Sequence, residues 1–240
     1  MFCPNCGQNN PPEARFCLKC GATLPAKVTL VPGVGSSYGN GWNQIWKHFW
    51  ELFLILIINW VISGVGGFVC SLIFLQIPFS VFVGFPLNYG VSYAYLRAAR
   101  DEKLEVAHMF AGFKNYWNAV GAGLLVTIIV VVGFILLIVP GIYLACKLAF
   151  TPYLVVDRKM GVTNAIGESW RMTGGHGWKV FLIGLLGIPI VIAGLICLLV
   201  GVIISYMWIS MALASLYHAV STSGAAPGLS SPTAPPPTAA

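Results

Sequence analysis

The sequence predicts an all-α polytopic membrane bundle of about six transmembrane helices, built as three hairpin repeats behind a small cysteine-bearing N-terminal module. Three observations carry that prediction: an apolar composition, three long runs almost free of charge, and an internal repeat of tryptophan-bearing segments. Hydrophobic residues make up 58% of the 240-residue chain and charged residues 8%, with a mean hydropathy of +0.82. Soluble domains carry about a quarter charged residues, so the chain is read as a membrane protein and the lipid bilayer as its first partner.

The apolar residues are bunched. No Asp, Glu, Lys or Arg occurs in residues 52–96, only Lys147 interrupts 118–156, and 180–220 carries none. One crossing takes roughly 20 apolar residues, so each run is two crossings long and folds back as a hairpin. The expected hairpins are 49–96, 117–156 and 178–220, within a membrane domain spanning 42–220. Their breaks are expected at the glycines of residues 64–67 or at Gln76–Pro78, at Pro140–Gly141, and between Gly194 and Gly201.

Charge orients the hairpins. Every lysine and arginine except Lys147 lies before the first hairpin, between hairpins, or at the foot of the third, and all seven acidic residues lie on the same side, Glu51 at the foot of the first. The tight turns inside the hairpins carry none. The positive-inside rule then places both termini and both longer loops in the cytoplasm, with the chain multi-pass in the cell membrane. The net charge of +6 is therefore a topology signal rather than a nucleic-acid footprint. The polar, cysteine-bearing start is not a cleavable signal peptide, and the first apolar run is expected to act as an uncleaved anchor.

Alignment of the chain with itself exposes the repeat. Residues 42–57, WNQIWKHFWELFLILI, lie over 170–185, WRMTGGHGWKVFLIGL, with Trp42 on Trp170, His48 on His176 and Trp50 on Trp178. FKNYW at 113–117 resembles WKHFW at 46–50, and Trp50, Trp117 and Trp178 each close a unit about one hairpin apart. Each unit is an interfacial segment followed by a hairpin. Trp42, Ile45, Trp46, Phe49 and Trp50 share one helical face, as do Val106, Phe110, Phe113 and Trp117. Trp42, Trp46, Trp50, Trp117, Trp170 and Trp178 are the expected interfacial anchors, because an indole buries its apolar body and keeps its N–H hydrated.

The N-terminal module, residues 1–24, holds Cys3, Cys6, Cys17 and Cys20 in the spacing C-x2-C-x10-C-x2-C, with Gly7 and Gly21 after the pairs. A C-x-x-C turn aims two thiolates at one metal, and two such turns close a tetrahedral site with no open position. One structural Zn2+ is expected, since so short a segment has too little core to fold without metal. Four-thiolate iron sites share this spacing. A reducing cytoplasm disfavours disulfides. Cys70, Cys146 and Cys197 lie in apolar runs and read as small packing residues. Residues 25–41 read as a flexible linker, and 221–240 as a disordered Pro/Ala-rich tail.

These residues carry a resemblance. The first 24 look like the short zinc ribbons at the N-termini of many bacterial and archaeal membrane proteins. PGIYLACKLAFTPYLVVD at 140–157, followed by AIGESWRMTGGHGWKVFLIGLL at 165–186, resembles uncharacterised multi-pass proteins related to the membrane region fused to some glycerophosphodiester phosphodiesterases. The resemblance covers about 42–220 and implies a six-helix membrane domain. The catalytic domain of those phosphodiesterases has no counterpart here.

Two enzyme signatures are missing: no G-x-x-x-x-G-K-[ST] or H-E-x-x-H occurs. His48, His108, His176 and His218 read as boundary polar residues. Lys147, mid-run, breaks the rules of the hydrocarbon core, where a central lysine costs roughly 2.5 to 3.5 kcal/mol. Its compensation is expected from snorkelling, from Ser, Asn or backbone carbonyls in the bundle, or from a polar cavity, with Asn59, Gln76 and Asn88 as candidate partners. Two non-enzymatic functions follow. One is a membrane-anchored zinc-ribbon adaptor contacting a cytoplasmic protein; the alternative is a small transporter or channel with Lys147 lining an anionic-solute path. A membrane-embedded enzyme has only the histidines and Asp157 in its favour.

Overall fold

The computed structural model describes residues 18–21, 31–72, 75–196 and 198–223. The chain divides into two compact units, Met1–Leu30 and Val31–Ala240. Within the described residues every regular element is helical.

Each hairpin of the second unit is preceded by a short helical segment. Helix α1 (Val34–Lys47) leads into α2 (Phe49–Leu72), and the return arm is α3 (Gln76–Phe79), a π-helical turn (Ser80–Gly84) and α4 (Phe85–Ala99). A 3-10 segment (Val106–Asn115) leads into α5 (Tyr116–Leu136), returned by α6 (Ile138–Leu148) and α7 (Thr151–Asp157). Helix α8 (Val162–Met172) leads into α9 (Gly177–Ile196) and α10 (Leu198–Ser223).

Five of these stretches are long and apolar enough to cross a membrane: Phe49–Ser71, Val106–Leu136, Ile138–Asp157, Gly177–Ile196 and Gly201–Ser223. The expected count was six. The missing arm, α3 to α4, is helical, but Gln76, Ser80, Asn88 and Ser92 make it more polar than the others. Its serine hydroxyls and the Asn88 amide bond back to helix carbonyls, as Ser80 to Ile77, Asn88 to Gly84 and Ser92 to Asn88.

The third hairpin turns within the expected region, α9 ending at Ile196 and α10 beginning at Leu198, whereas the first two breaks are displaced. Helix α2 runs through Gly64–Gly67 and ends at Leu72. The α5–α6 break is the single extended residue Leu137 (φ −168°, ψ 154°), so Pro140 falls in the first turn of α6, where its missing N–H costs little. Gly133 and Gly141 let Leu144 and Phe134 pack against the facing backbone at that tip. The expected linker 25–41 also ends early. Residues 34–41 are helical because Ser37, Tyr38, Gly41, Gln44 and Ile45 form a buried stripe, with Gly41 against Met211 and Ala212 of α10. At the other end, α10 continues into the expected tail as far as Ser223.

Polar bonds fasten α1 to the bundle. The Tyr38 hydroxyl donates to Ile183 O at 2.8 Å, Trp208 Nε1 to Tyr38 O at 3.0 Å, and Asn40 Nδ2 to Ala99 O at 3.2 Å and Ser215 Oγ at 3.0 Å. The core is made by Ile45, Leu52, Leu87, Leu96, Met109, Leu154, Met207, Met211 and Tyr217. Outside it lies a broad exposed apolar surface that includes Val65, Phe68, Ile135, Val139 and Ile196. A soluble monomer does not expose apolar surface on this scale; hydrocarbon accepts it.

The ends of the first two hairpins repeat in detail. Tyr95-Leu96 and Tyr153-Leu154 occupy corresponding positions, as do Arg100 and Arg158. The next residues, Asp101 (φ 58°) and Lys159 (φ 51°), are the two non-glycine residues with positive φ among those described. Both helices therefore stop with the same left-handed residue.

Candidate functional site

The first expected site is the cysteine quartet. Cys3, Cys6 and Cys17 lie outside the described residues. Leu18–Cys20 form a turn with Cys20 exposed, and Gly21 follows in the left-handed region (φ 69°). Only glycine takes that conformation without strain, and it is the shape a C-x-x-C-G turn needs to present its thiolates to one metal. The four-thiolate donor set and this turn both fit a structural zinc. Among the described residues no other group of three His, Cys, Asp or Glu side chains is placed to hold a metal ion.

Lys147 is buried, 8% exposed, near the end of α6. Its ammonium stands 5.5 Å from the ring centroids of both Tyr143 and Trp170, whose planes meet nearly at right angles. Cation–π attraction in this corner offsets part of the desolvation of the charge. Asn59, Gln76 and Asn88 do not supply the expected polar partner: Asn88 bonds to Gly84, and the buried Asn59 Oδ1 has no hydrogen bond.

The depth expected for Lys147 also changes. Pro152 cannot donate a backbone hydrogen bond, and the helix breaks at Ala149–Phe150 between α6 and α7. The Lys147 carbonyl accepts from Ser169 Oγ at 2.8 Å and Thr173 Oγ1 at 3.1 Å. The lysine is thus level with the polar turn 173–176 before α9, not isolated at mid-run. A cavity of about 560 Å³ adjoins it, walled by Val139, Ile142, Phe181, Trp178 and the glycines of that turn.

The tryptophan anchors Trp42, Trp46, Trp50, Trp117, Trp170 and Trp178 are all exposed. Several sit in aromatic clusters, Trp42 with Trp46 and Trp208, Trp46 and Trp50 with Phe49, and Trp178 with Phe181. The histidines do not converge. His48 Nε2 lies 3.6 Å from Asp101, His108 meets Arg97 and Glu105, and His176 sits in the turn before α9, its pKa lowered by burial and then by Lys179.

Sequence reasoning missed the strongest polar cluster. Arg100, just beyond α4, grips Asp157 at the end of α7 through two 2.7 Å bonds, and Tyr217 of α10 lies 3.4 Å from the same carboxylate. Burial would lower the Arg100 pKa, yet the hydrogen-bonded carboxylate of Asp157 raises it on balance. One residue from each hairpin thus meets at a single point. The separations along the chain hide it, and the only available signal was an arginine and an aspartate at the same end of successive hairpins.

A zinc-ribbon domain family matches residues 2–24; the match stops short of the helical bundle. No solved structure matches the chain.

Proposed function

We propose that the chain is a membrane-anchored zinc-ribbon adaptor: the bundle fixes it in the cell membrane, and the ribbon contacts a cytoplasmic protein. The observation that carries this reading is the zinc-ribbon match at residues 2–24, at the head of a bundle whose outer surface is apolar. Cys3, Cys6, Cys17 and Cys20 would hold one zinc, which supplies the cross-link that a core too small to fold cannot.

The topology belongs to the same proposal. With the basic loops on one side, an odd number of crossings would leave the termini on opposite faces. The helical arm Gln76–Ala99 is therefore the sixth crossing, with both termini cytoplasmic and the six exposed tryptophans at the headgroup level. Kinship of residues 42–220 with the membrane region of glycerophosphodiester phosphodiesterase-type proteins is part of the same proposal and brings no catalytic residue with it.

The test is a photo-crosslinking amino acid at Leu18, an exposed position of the ribbon. In living cells it should capture a discrete protein, and Cys3→Ser/Cys6→Ser should abolish the capture while the protein stays in the membrane. Equal crosslinking with and without the cysteines would sink the adaptor reading. The transporter alternative has in its favour the cavity beside Lys147.

A further inference from the structure

We propose that the cavity beside Lys147 binds an anionic phospholipid of the surrounding bilayer, its headgroup phosphate on the Lys147 ammonium and its acyl chain along Val139, Ile142 and Phe181. The inference stands apart from the adaptor reading and needs only that the bundle lie in a membrane. Four observations carry it.

The first is charge. The Lys147 ammonium lines the cavity, and among the described residues it has neither a hydrogen bond nor a carboxylate partner; its contacts are the two aromatic rings. No acidic side chain lines the cavity. An ionisable side chain inside a membrane bundle is by default a candidate functional residue, and an ammonium without a carboxylate partner suits an anion.

The second is the turn opposite. Gly175 lines the cavity, and its amide makes no hydrogen bond among the described residues. The 20-residue helix α9 begins two residues later, so the positive end of its dipole lies on the same side as the lysine.

The third is shape. The cavity is about 560 Å³, within the range of small-ligand sites. Val139 lies eight residues before Lys147, so the apolar wall of α6 runs roughly 12 Å along the helix. Val139 (77% exposed), Tyr143 and Trp178 are exposed at its rim, which opens the cavity toward the apolar outer surface.

The fourth is selectivity. A zwitterionic choline headgroup would seek an aromatic corner for its cation, but the corner formed by Tyr143 and Trp170 is already filled by Lys147 itself. Pockets with a basic residue between membrane helices favour anionic headgroups.

The full-length protein should be placed in nanodiscs of phosphatidylcholine mixed with phosphatidylglycerol, and its retained lipids counted by native mass spectrometry. One phosphatidylglycerol should be held preferentially and displaced by oleate but not by inorganic phosphate. Lys147→Met should weaken retention about tenfold or more, as expected for loss of a buried charge partner, and Lys147→Arg should keep it. Because Lys147→Met also removes the packing against Tyr143 and Trp170, Gly175→Leu is the second variant. The space off the Gly175 α-carbon is open, so the backbone accommodates leucine, and because Gly175 lines the cavity retention should fall with this variant too. Equal retention of phosphatidylcholine, displacement by inorganic phosphate alone, or wild-type retention in both Lys147→Met and Gly175→Leu would each overturn the proposal.

Discussion

Among the described glycines, Gly90 of α4 and Gly112 of the 3-10 segment are the most tightly packed against backbone. A methyl group at Gly90 would land on the Met109 carbonyl, and one at Gly112 on that of Pro86. Backbone cannot swing aside as a side chain can, so Gly90→Ala or Gly112→Ala should cost about 2 kcal/mol or more, read as a lowered Tm in detergent. Gly184→Ala is the contrast. Nothing stands within 4 Å of its added carbon, and replacing an interior helix glycine there should hold or raise the Tm, with a stability gain of up to about 1 kcal/mol. Charge gives a second residue-level expectation. Glu168 on α8 accepts from Arg171 Nε at 2.8 Å and Nη2 at 2.7 Å and lies 3.4 Å from Arg158. The hydrogen bonds from Arg171 hold its carboxyl below the usual carboxylate range, burial pulls the other way, and the charges of Arg171 and Arg158 add to the lowering. A carboxylate with a depressed folded pKa contributes stability that is present above the unfolded value, about 4.3, and lost as the pH falls through the folded one. Glu168→Gln should therefore flatten the Tm–pH curve below about pH 4.3 while leaving its shape at neutral pH unchanged.

At the scale of elements, the Arg100–Asp157–Tyr217 cluster joins α4, α7 and α10, one arm of each hairpin. Both charged side chains are mostly buried, so removing one strands the other. Asp157→Ala should cost about 3 kcal/mol, visible as a lower unfolding midpoint in detergent, and Arg100→Met/Asp157→Met should recover part of that loss. A double variant no better than the sum of the single ones would mean that the pair is not coupled. This cluster also marks where sequence reading stops. The hairpins, and the amphipathic segments before them, were legible because hydropathy and tryptophan spacing are local patterns. The meeting of Arg100 with Asp157 was not, because partners about one hairpin apart leave no local trace. Residues 34–41 misled for a related reason: Gly35, Gly39 and Gly41 read as linker, whereas α1 is held by Tyr38 and Asn40 bonding to arms far along the chain. Lys147 misled because hydropathy measures distance along the chain, while the break before Pro152 and the hydroxyls of Ser169 and Thr173 place it beside a polar turn.

For the whole molecule, the two compact units should have separate sources of stability. Among the described residues the hydrophobic core lies between Tyr38 and Val220, and its energy comes from burial and from close packing at glycines, neither of which involves a metal. Residues 2–24, matched by the zinc-ribbon family, have the opposite character: four cysteines, little apolar content, and a length below that at which a core forms without a cross-link. Metal removal should therefore act on one unit alone. Protein purified under reducing conditions should carry about one zinc per chain, with all four N-terminal cysteines protected from alkylation. A strong chelator, or Cys3→Ser/Cys6→Ser, should release the metal and expose the remaining thiols. The Tm of the helical unit in detergent should stay unchanged, because the core described for it is built from apolar side chains and close-packed glycines rather than metal ligands. Metal-free native protein would refute the four-thiolate site, iron in place of zinc would change the cofactor but keep the ligands, and a fall in the helical Tm on chelation would show that the bundle draws stability from the metal unit after all.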